Sequence, residues 1–181
     1  GIAQMLHDHG AELAFTYQGD AFGRRVKPLA DSIGAELVLP ADVQDPASLD
    51  ELFGVIEAKW GGLDFLVHAI AYSDKAELKG LYLDTTRENF LNTMEISCYS
   101  FSDFARRAAP LMTNCVALIT LTYLGSERVM PYYNVMVVAK AALEASTRYQ
   151  AFNLGRQGAR VNALSPGPMR TLAGAASGGA R

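Results

Sequence analysis

The amino-acid sequence predicts an α/β fold in which a parallel sheet is covered by helices on both faces. Two observations predict it. Short apolar runs alternate with longer helical patterns along the 181 residues, and each intervening stretch is long enough to cross over and re-enter the sheet in the same direction. Half of the residues are hydrophobic, so strands can be buried from both sides, as an all-parallel sheet requires. The expected architecture is doubly wound and Rossmann-like. The length suits one domain, and no repeat or linker interrupts it, so residues 1–181 are expected to form a single, partial domain.

The elements follow in order. "GIAQMLHDHG" reads as a helix with Ile2, Met5 and Leu6 on one face and Gly10 as its stop. "AELAFTY" (11–17) alternates Leu13, Phe15 and Tyr17 and is the first strand. A helical stretch from Asp20 to Ile33 contains Pro28, which is expected to kink or break it. "ELVLP" (36–40) is the second strand. Asp45 caps the next helix, whose first position is Pro46, and Leu49, Leu52, Phe53, Ile56 and Trp60 form one apolar stripe. "GG" at 61–62 ends that helix, and "LDFLVHA" (63–69) is the third strand. "TTRE" (85–88) is a capping-box pattern. It opens a long helix with Phe90, Met94, Phe101, Ala105 and Ala108 on one side, stopped by Pro110. "VALITLT" (116–122) is the fourth strand, followed by a helix near 132–154 with Gly155 at its end. "ARVNALS" (159–165) is the fifth. The tail over 172–181 has no apolar period and is expected to fray.

Composition narrows the function. The net charge is −3, and the pairs Arg24–Arg25 and Arg106–Arg107 are isolated, so no nucleic-acid partner is expected. No apolar run approaches the roughly 20 residues of a membrane helix, so no membrane partner is expected either. Cys98 and Cys115 have neither metal-ligand nor C-x-x-C spacing. They suit free thiols in a reducing cytoplasm, and no metal site is expected.

A dinucleotide-binding fold of this type opens with a strand and a glycine-rich turn, where backbone amides approach the phosphates at a helix N-terminus. Neither G-x-G-x-x-G nor G-x-x-x-x-G-K-[ST] occurs. Because the first residues read as the helix that follows such a turn, the chain is expected to be truncated. The competing reading is an α/β domain that never bound a dinucleotide.

Residues 123–140, "YLGSERVMPYYNVMVVAK", place three tyrosines upstream of one lysine. Lys140 follows Tyr133 by 140 − 133 = 7 positions, about 700° on a helix and within roughly 20° of two full turns, so phenol and ammonium would share a face. Tyr132 would sit about 80° round the axis. Tyr123 ends the fourth strand, at the carboxyl edge where ligands settle in open α/β sheets. A lysine charge beside a phenol favours the phenolate and makes the phenol a better acid. Such a donor suits a reaction that builds negative charge on a carbonyl oxygen. The competing reading is that Tyr132 and Tyr133 pack at a helix start while Lys140 is solvated.

With these residues, the segments "ELAFTYQGDAFGRRVKPLA", "GGLDFLVHAI", "DTTRENF", "YLGSERVMPYYNVMVVAKAALEAS", "ARVNALSPGP" and "MRTLA" complete a pattern. Over nearly the whole chain it resembles the bacterial NADH-dependent enoyl-acyl-carrier-protein reductases, a divergent group of the short-chain dehydrogenase/reductase superfamily. Ordinary members carry Y-x-x-x-K; here Met136 stands four before Lys140, and the longer spacing of the divergent group is present. The resemblance implies reduction of trans-2-enoyl-acyl-carrier-protein thioesters in fatty acid synthesis, with NADH as hydride donor and NAD+ as product. NADPH is the second choice, since Gln18 replaces the usual ribose-reading acid while Arg24 and Arg25 lie nearby in sequence.

The resemblance also implies roles. Tyr133 would hydrogen-bond the thioester carbonyl and help protonate the enolate. Lys140 would hold the nicotinamide ribose, and Tyr123 would flank the substrate. Gln18, Asp42 and Val43 would contact adenosine, Ile70 would lie beside the nicotinamide, and Ser73 would face the acyl chain. Met169, Arg170, Thr171, Leu172 and Ala173 would touch nicotinamide and pyrophosphate. The implied assembly is a cytoplasmic homotetramer packed through the helices near 86–109 and 132–154. Two alternatives stay open: a carbonyl or alcohol oxidoreductase of the same superfamily, and a catalytically dead domain acting by assembly. Ala71 and Val137 stand where the family has glycine, and Pro166 where it has a small residue. The family's first strand, last strand and acyl-covering helix are not recognisable, so the chain alone is expected to be weakly stable or inactive.

Overall fold

The first four strands are each followed by a loop and a helix, and every strand pairing among the described residues is parallel. The computed structural model describes residues 1–112 and 116–167, and the chain divides into two units, Gly1–Lys59 and Trp60–Arg181.

The first unit opens with α1 (Ile2–Asp8), which Gly10 closes at φ 86°, a left-handed conformation that glycine adopts without a Cβ clash. β1 (Ala14–Tyr17) leads into α2 (Gly19–Asp31), and β2 (Leu37–Pro40) leads into α3 (Pro46–Trp60). Ala14 pairs with Leu37 and Tyr17 with Pro40. Pro28 does not break α2. It sits in the last turn, where its missing N–H costs one bond, and the Ser32 amide still donates to the Pro28 carbonyl at 3.1 Å. The Asp45 carboxylate accepts from the Ala47 amide at 3.0 Å, the expected cap ahead of Pro46. Leu49, Leu52, Phe53 and Ile56 are buried along α3, as the stripe requires, with Trp60 only partly so.

The second unit contains β3 (Phe65–His68), α4 (Arg87–Met94), α5 (Ser100–Ala108), β4 (Ala117–Leu121), α6 (Asn134–Gly155) and β5 (Arg160–Leu164). Its sheet runs β3-β4-β5, with Phe65 opposite Ala117 and Ala117 opposite Arg160. Phe101, Leu118 and Leu143 are fully buried in a core with Cys98, Ala105, Val116 and Val161. The five strands thus form a two-stranded and a three-stranded sheet, and among the described residues no strand bonds to both.

Two local expectations are corrected. The helix over 86–109 is not continuous, because a π-helical turn, Glu95–Tyr99, separates α4 from α5. Hydroxyls there compete with the regular ladder. Ser100 Oγ donates to the Ile96 carbonyl at 2.6 Å, and Ser97 Oγ both donates to the Tyr72 carbonyl and accepts from its amide. The capping box is also assembled differently. Thr86 Oγ1 accepts from the Asn89 amide, but the carboxylate that reaches back to the Thr86 amide and hydroxyl is Glu77, from the preceding loop.

A buried imidazole links three elements of this unit. His68 is 1% exposed, and its ring nitrogens lie 3.0 Å from Thr120 Oγ1 on β4 and 2.8 Å from Ser100 Oγ on α5. Because Ser100 gives its proton to Ile96, it must accept from Nε2–H, which leaves Nδ1 bare to accept from Thr120. Burial, reinforced by the Lys140 charge, lowers the His68 pKa from 6.5 to about 3. Between those values the unfolded state binds more protons, so this contribution is complete above pH 6.5 and is lost as pH falls towards 3. In urea unfolding series from pH 4 to 7, His68→Gln should flatten the dependence of stability on pH by up to about 1.4 kcal/mol per pH unit. An unchanged slope would show that another group takes up the proton.

Candidate active site

The candidate catalytic residues gather around the carboxyl end of β4. Thr120, Leu121 and Thr122 are held in succession by His68, by Lys140 and by Glu144. Tyr123 follows and opens a 3-10 turn, Leu124–Ser126.

Lys140 lies in the second turn of α6 and is 7% exposed. Its Nζ donates to the Leu121 carbonyl at 2.7 Å. Burial lowers its pKa to about 8. Lys140 is therefore not a solvated surface lysine. Four residues on, Glu144 Oε1 accepts from the Thr122 hydroxyl at 2.6 Å, so α6 grips the strand end twice.

Tyr133 is the residue just before α6, with φ −124° and ψ −18°. The helical 700° construction linking it to Lys140 therefore does not hold, since Tyr133 lies outside the helix. Its flanking residues Tyr132 and Asn134 have φ of 65° and 30°, conformations that non-glycine residues seldom adopt. The Asn134 amide compensates by donating to the Glu77 and Gly80 carbonyls at 2.9 and 2.8 Å, tying the start of α6 to the loop after β3. This bend brings the Tyr133 ring to 5.0 Å from that of Tyr123, tilted by 40°. The Tyr123 hydroxyl is buried without a hydrogen-bond partner. Burial first, then Tyr133, pushes its pKa well above the usual phenol range, so Tyr123 stays a neutral donor.

The other candidates fall into two groups. Ile70 is half-buried two residues beyond β3. Ser73, in the same loop, donates to Asn89 Oδ1 at 3.3 Å and accepts from Thr93 Oγ1 at 3.0 Å, so its hydroxyl is fastened to α4. In the first unit, Gln18 Nε2 donates to Asp42 Oδ2 at 3.2 Å, which joins the residues that follow β1 and β2. Asp42 is anchored through the Gln44 amide and Ser48 Oγ, and Val43 is half-buried. Met169, Arg170, Thr171, Leu172 and Ala173 lie outside the described residues. A pocket of about 290 Å³ in the first unit, lined by His7, Gly10, Glu12, Leu13, Ile33 and Gly34, contains none of the candidates. Among the described residues, no cluster of three or more His, Cys, Asp or Glu could hold a metal.

Sequence reasoning missed His68, Thr120, Ser100 and Glu77. The only advance sign was a histidine in the otherwise apolar run "LDFLVHA".

Comparisons with known proteins place the chain in a family. A family model described as enoyl-(acyl carrier protein) reductase matches residues 1–181. The enoyl-[acyl-carrier-protein] reductase [NADH] 2 of Rhizobium meliloti is 61% identical over the whole chain, which covers 68% of that protein. The crystal structure of FabI from Candidatus Liberibacter asiaticus superposes with a TM-score of 0.93 at 54% identity, covering 96% of this chain and 67% of that one. That of the enoyl-(acyl-carrier-protein) reductase of Anaplasma phagocytophilum, in complex with NAD, has a TM-score of 0.90 at 55% identity, covering 93% of this chain and 65% of that one. The chain thus spans about two thirds of these relatives. On the family match over all 181 residues and this level of identity, the chain belongs to the enoyl-(acyl carrier protein) reductase family.

Proposed function

We propose that these residues form the reducing site of an NADH-dependent enoyl-acyl-carrier-protein reductase. The observation that carries the proposal is the buried Lys140 ammonium on the Leu121 carbonyl, at the same strand end as the Tyr123–Tyr133 ring pair. The residues present fit parts of the dinucleotide. Lys140 Nζ carries three donor hydrogens and gives one to the Leu121 carbonyl, which suits further donation to a ribose diol. Gln18 and Asp42 offer an amide and a carboxylate of the kind that reads an adenosine. Bound NADH would supply a hydride to the β-carbon of an enoyl thioester. Negative charge then appears on the thioester oxygen, and Tyr133 stabilises it by hydrogen bonding. Tyr123 walls the same region as a neutral phenol, and Ser73 fixes the loop after β3 on the acyl side.

The assembly reading belongs to the same proposal. Leu91 on α4, Tyr99 in the π turn, and Tyr149 and Phe152 on α6 are 49%, 60%, 74% and 66% exposed. This apolar dressing supports an interface between copies of the chain through the two long helical segments; that the assembly is a cytoplasmic homotetramer is what the family reading adds.

The proposal is tested by following NADH oxidation with crotonyl thioester and with a ketone, in the protein that carries these residues. Reduction of the thioester alone supports it; reduction of the ketone alone would move the assignment to a carbonyl reductase. In the same assay Tyr133→Phe should lower kcat by about 10²-fold with little change in KM. The pH dependence gives a second check. With a free-enzyme pKa of about 8, Lys140 loses its charge well before an ordinary lysine, so kcat/KM for NADH should fall above pH 8, and Lys140→Arg should remove that fall. Unfolded lysine keeps its proton to 10.5, so stability should rise across the same window. A parallel loss of stability would assign the fall to unfolding.

A further inference from the structure

The turn after β4 holds a phenol in a position that depends on its neighbour but one. The Tyr123 hydroxyl is buried and unpartnered, a condition that folded proteins rarely leave unexplained. A Cβ placed on Gly125 would lie 2.7 Å from that hydroxyl, and closer still to the Cε2 and Cζ carbons of the ring. Real Cβ atoms essentially never approach so closely. Gly125 is buried, and its φ is outside the left-handed region, so an alanine would suit the backbone and fail only for space. The turn itself is pinned. Ser126 gives both its amide and its hydroxyl to the Tyr123 carbonyl at 3.0 and 2.9 Å, and the Glu127 and Arg128 amides both reach the Leu124 carbonyl at 3.1 Å. Between a fixed turn and a phenol with no hydrogen bond, the phenol is the part that yields.

We infer that Gly125 is a positioning residue: its missing side chain lets Tyr123 fold back over the turn against Tyr133, where it holds an unengaged neutral hydrogen-bond donor for the thioester group of an acyl substrate. The choice of acceptor rests on the reductase reading, whereas the placement of the ring does not. Tyr123 has no competing acceptor to abandon, so an incoming carbonyl or thioester oxygen gains the full bond.

The test has two arms. Nitration by tetranitromethane, read by peptide mass spectrometry, should modify Tyr123 more slowly than Tyr132, which is 55% exposed. In Gly125→Ala the displaced Tyr123 should react several-fold faster. In steady-state assays Gly125→Ala should lower kcat/KM for the enoyl thioester by about tenfold, while in a Tyr123→Ala background it should add no further loss. Unchanged Tyr123 reactivity in Gly125→Ala, or an undiminished loss in the Tyr123→Ala background, would overturn the inference. Should Gly125→Ala alone fail to fold, recovery in the double variant supports it and continued failure overturns it. If Tyr123 is released but the unsubstituted protein reduces no enoyl thioester, the reductase reading fails while the positioning role stands.

Discussion

An ammonium withdrawn from water and given to one backbone carbonyl is the constraint on which the second unit depends. Burying a charge is tolerated only where geometry supplies compensating partners. Lys140 finds one at Leu121, the last residue of β4. That bond fixes how far α6 can slide along the strand, and therefore where Tyr133, just ahead of the helix, can stand. The rest of the carboxyl edge is arranged to keep the charge tolerable. His68, whose imidazole would repel Lys140 if protonated, is itself kept neutral by burial. Only a Cys98 thiolate would favour the charged amine, and burial raises the pKa of that thiol and keeps it protonated.

The strand end is rigid because its neighbours grip it in sequence. Thr120 and Thr122 are both buried and reach to different elements, Thr120 to β3 through His68 and Thr122 to α6 through Glu144. The loop after β3 is held as firmly. Glu77 serves the Thr86 cap, Asn89 binds Ser73 and the Asp74 amide, and Asn134 binds the Glu77 and Gly80 carbonyls. Preorganisation of this kind is what electrostatic catalysis needs, since donors already in place do not reorganise when charge develops. The unusual backbone at Tyr132 and Asn134 belongs to the same economy of placement, because only a bent entry to α6 turns Tyr133 towards Tyr123.

Much of this was legible in the amino-acid order, and the reasons differ by level. Strands were found because apolar runs in a parallel sheet are short and continuous, and their observed ends lie within three residues of the expected ones, the largest gap being at the start of β1. The Asp45–Pro46 start of α3 was readable because a cap is a local interaction. The π turn was not, because it arises where serine hydroxyls meet partners such as Tyr72, 25 positions away. The Glu77 contribution to the Thr86 cap was hidden for the same reason, being supplied from nine positions upstream. The pairing of Tyr133 with Lys140 was chosen by a helical argument that the structure does not support. The two residues are nonetheless placed by one helix, from its threshold and from its second turn.

The π-helical turn gives this chain one place where a change in length is tolerated. A single wide turn between α4 and α5 absorbs a phase offset of about 100°, the rotation that one residue contributes to a helix. Removing one position from 95–99 would let the ladder close as ordinary helix while Phe101, Phe104 and Ala105 keep the face they now bury. The same deletion inside α5 would meet no wide turn to absorb it and would rotate every later side chain of that helix by the same angle.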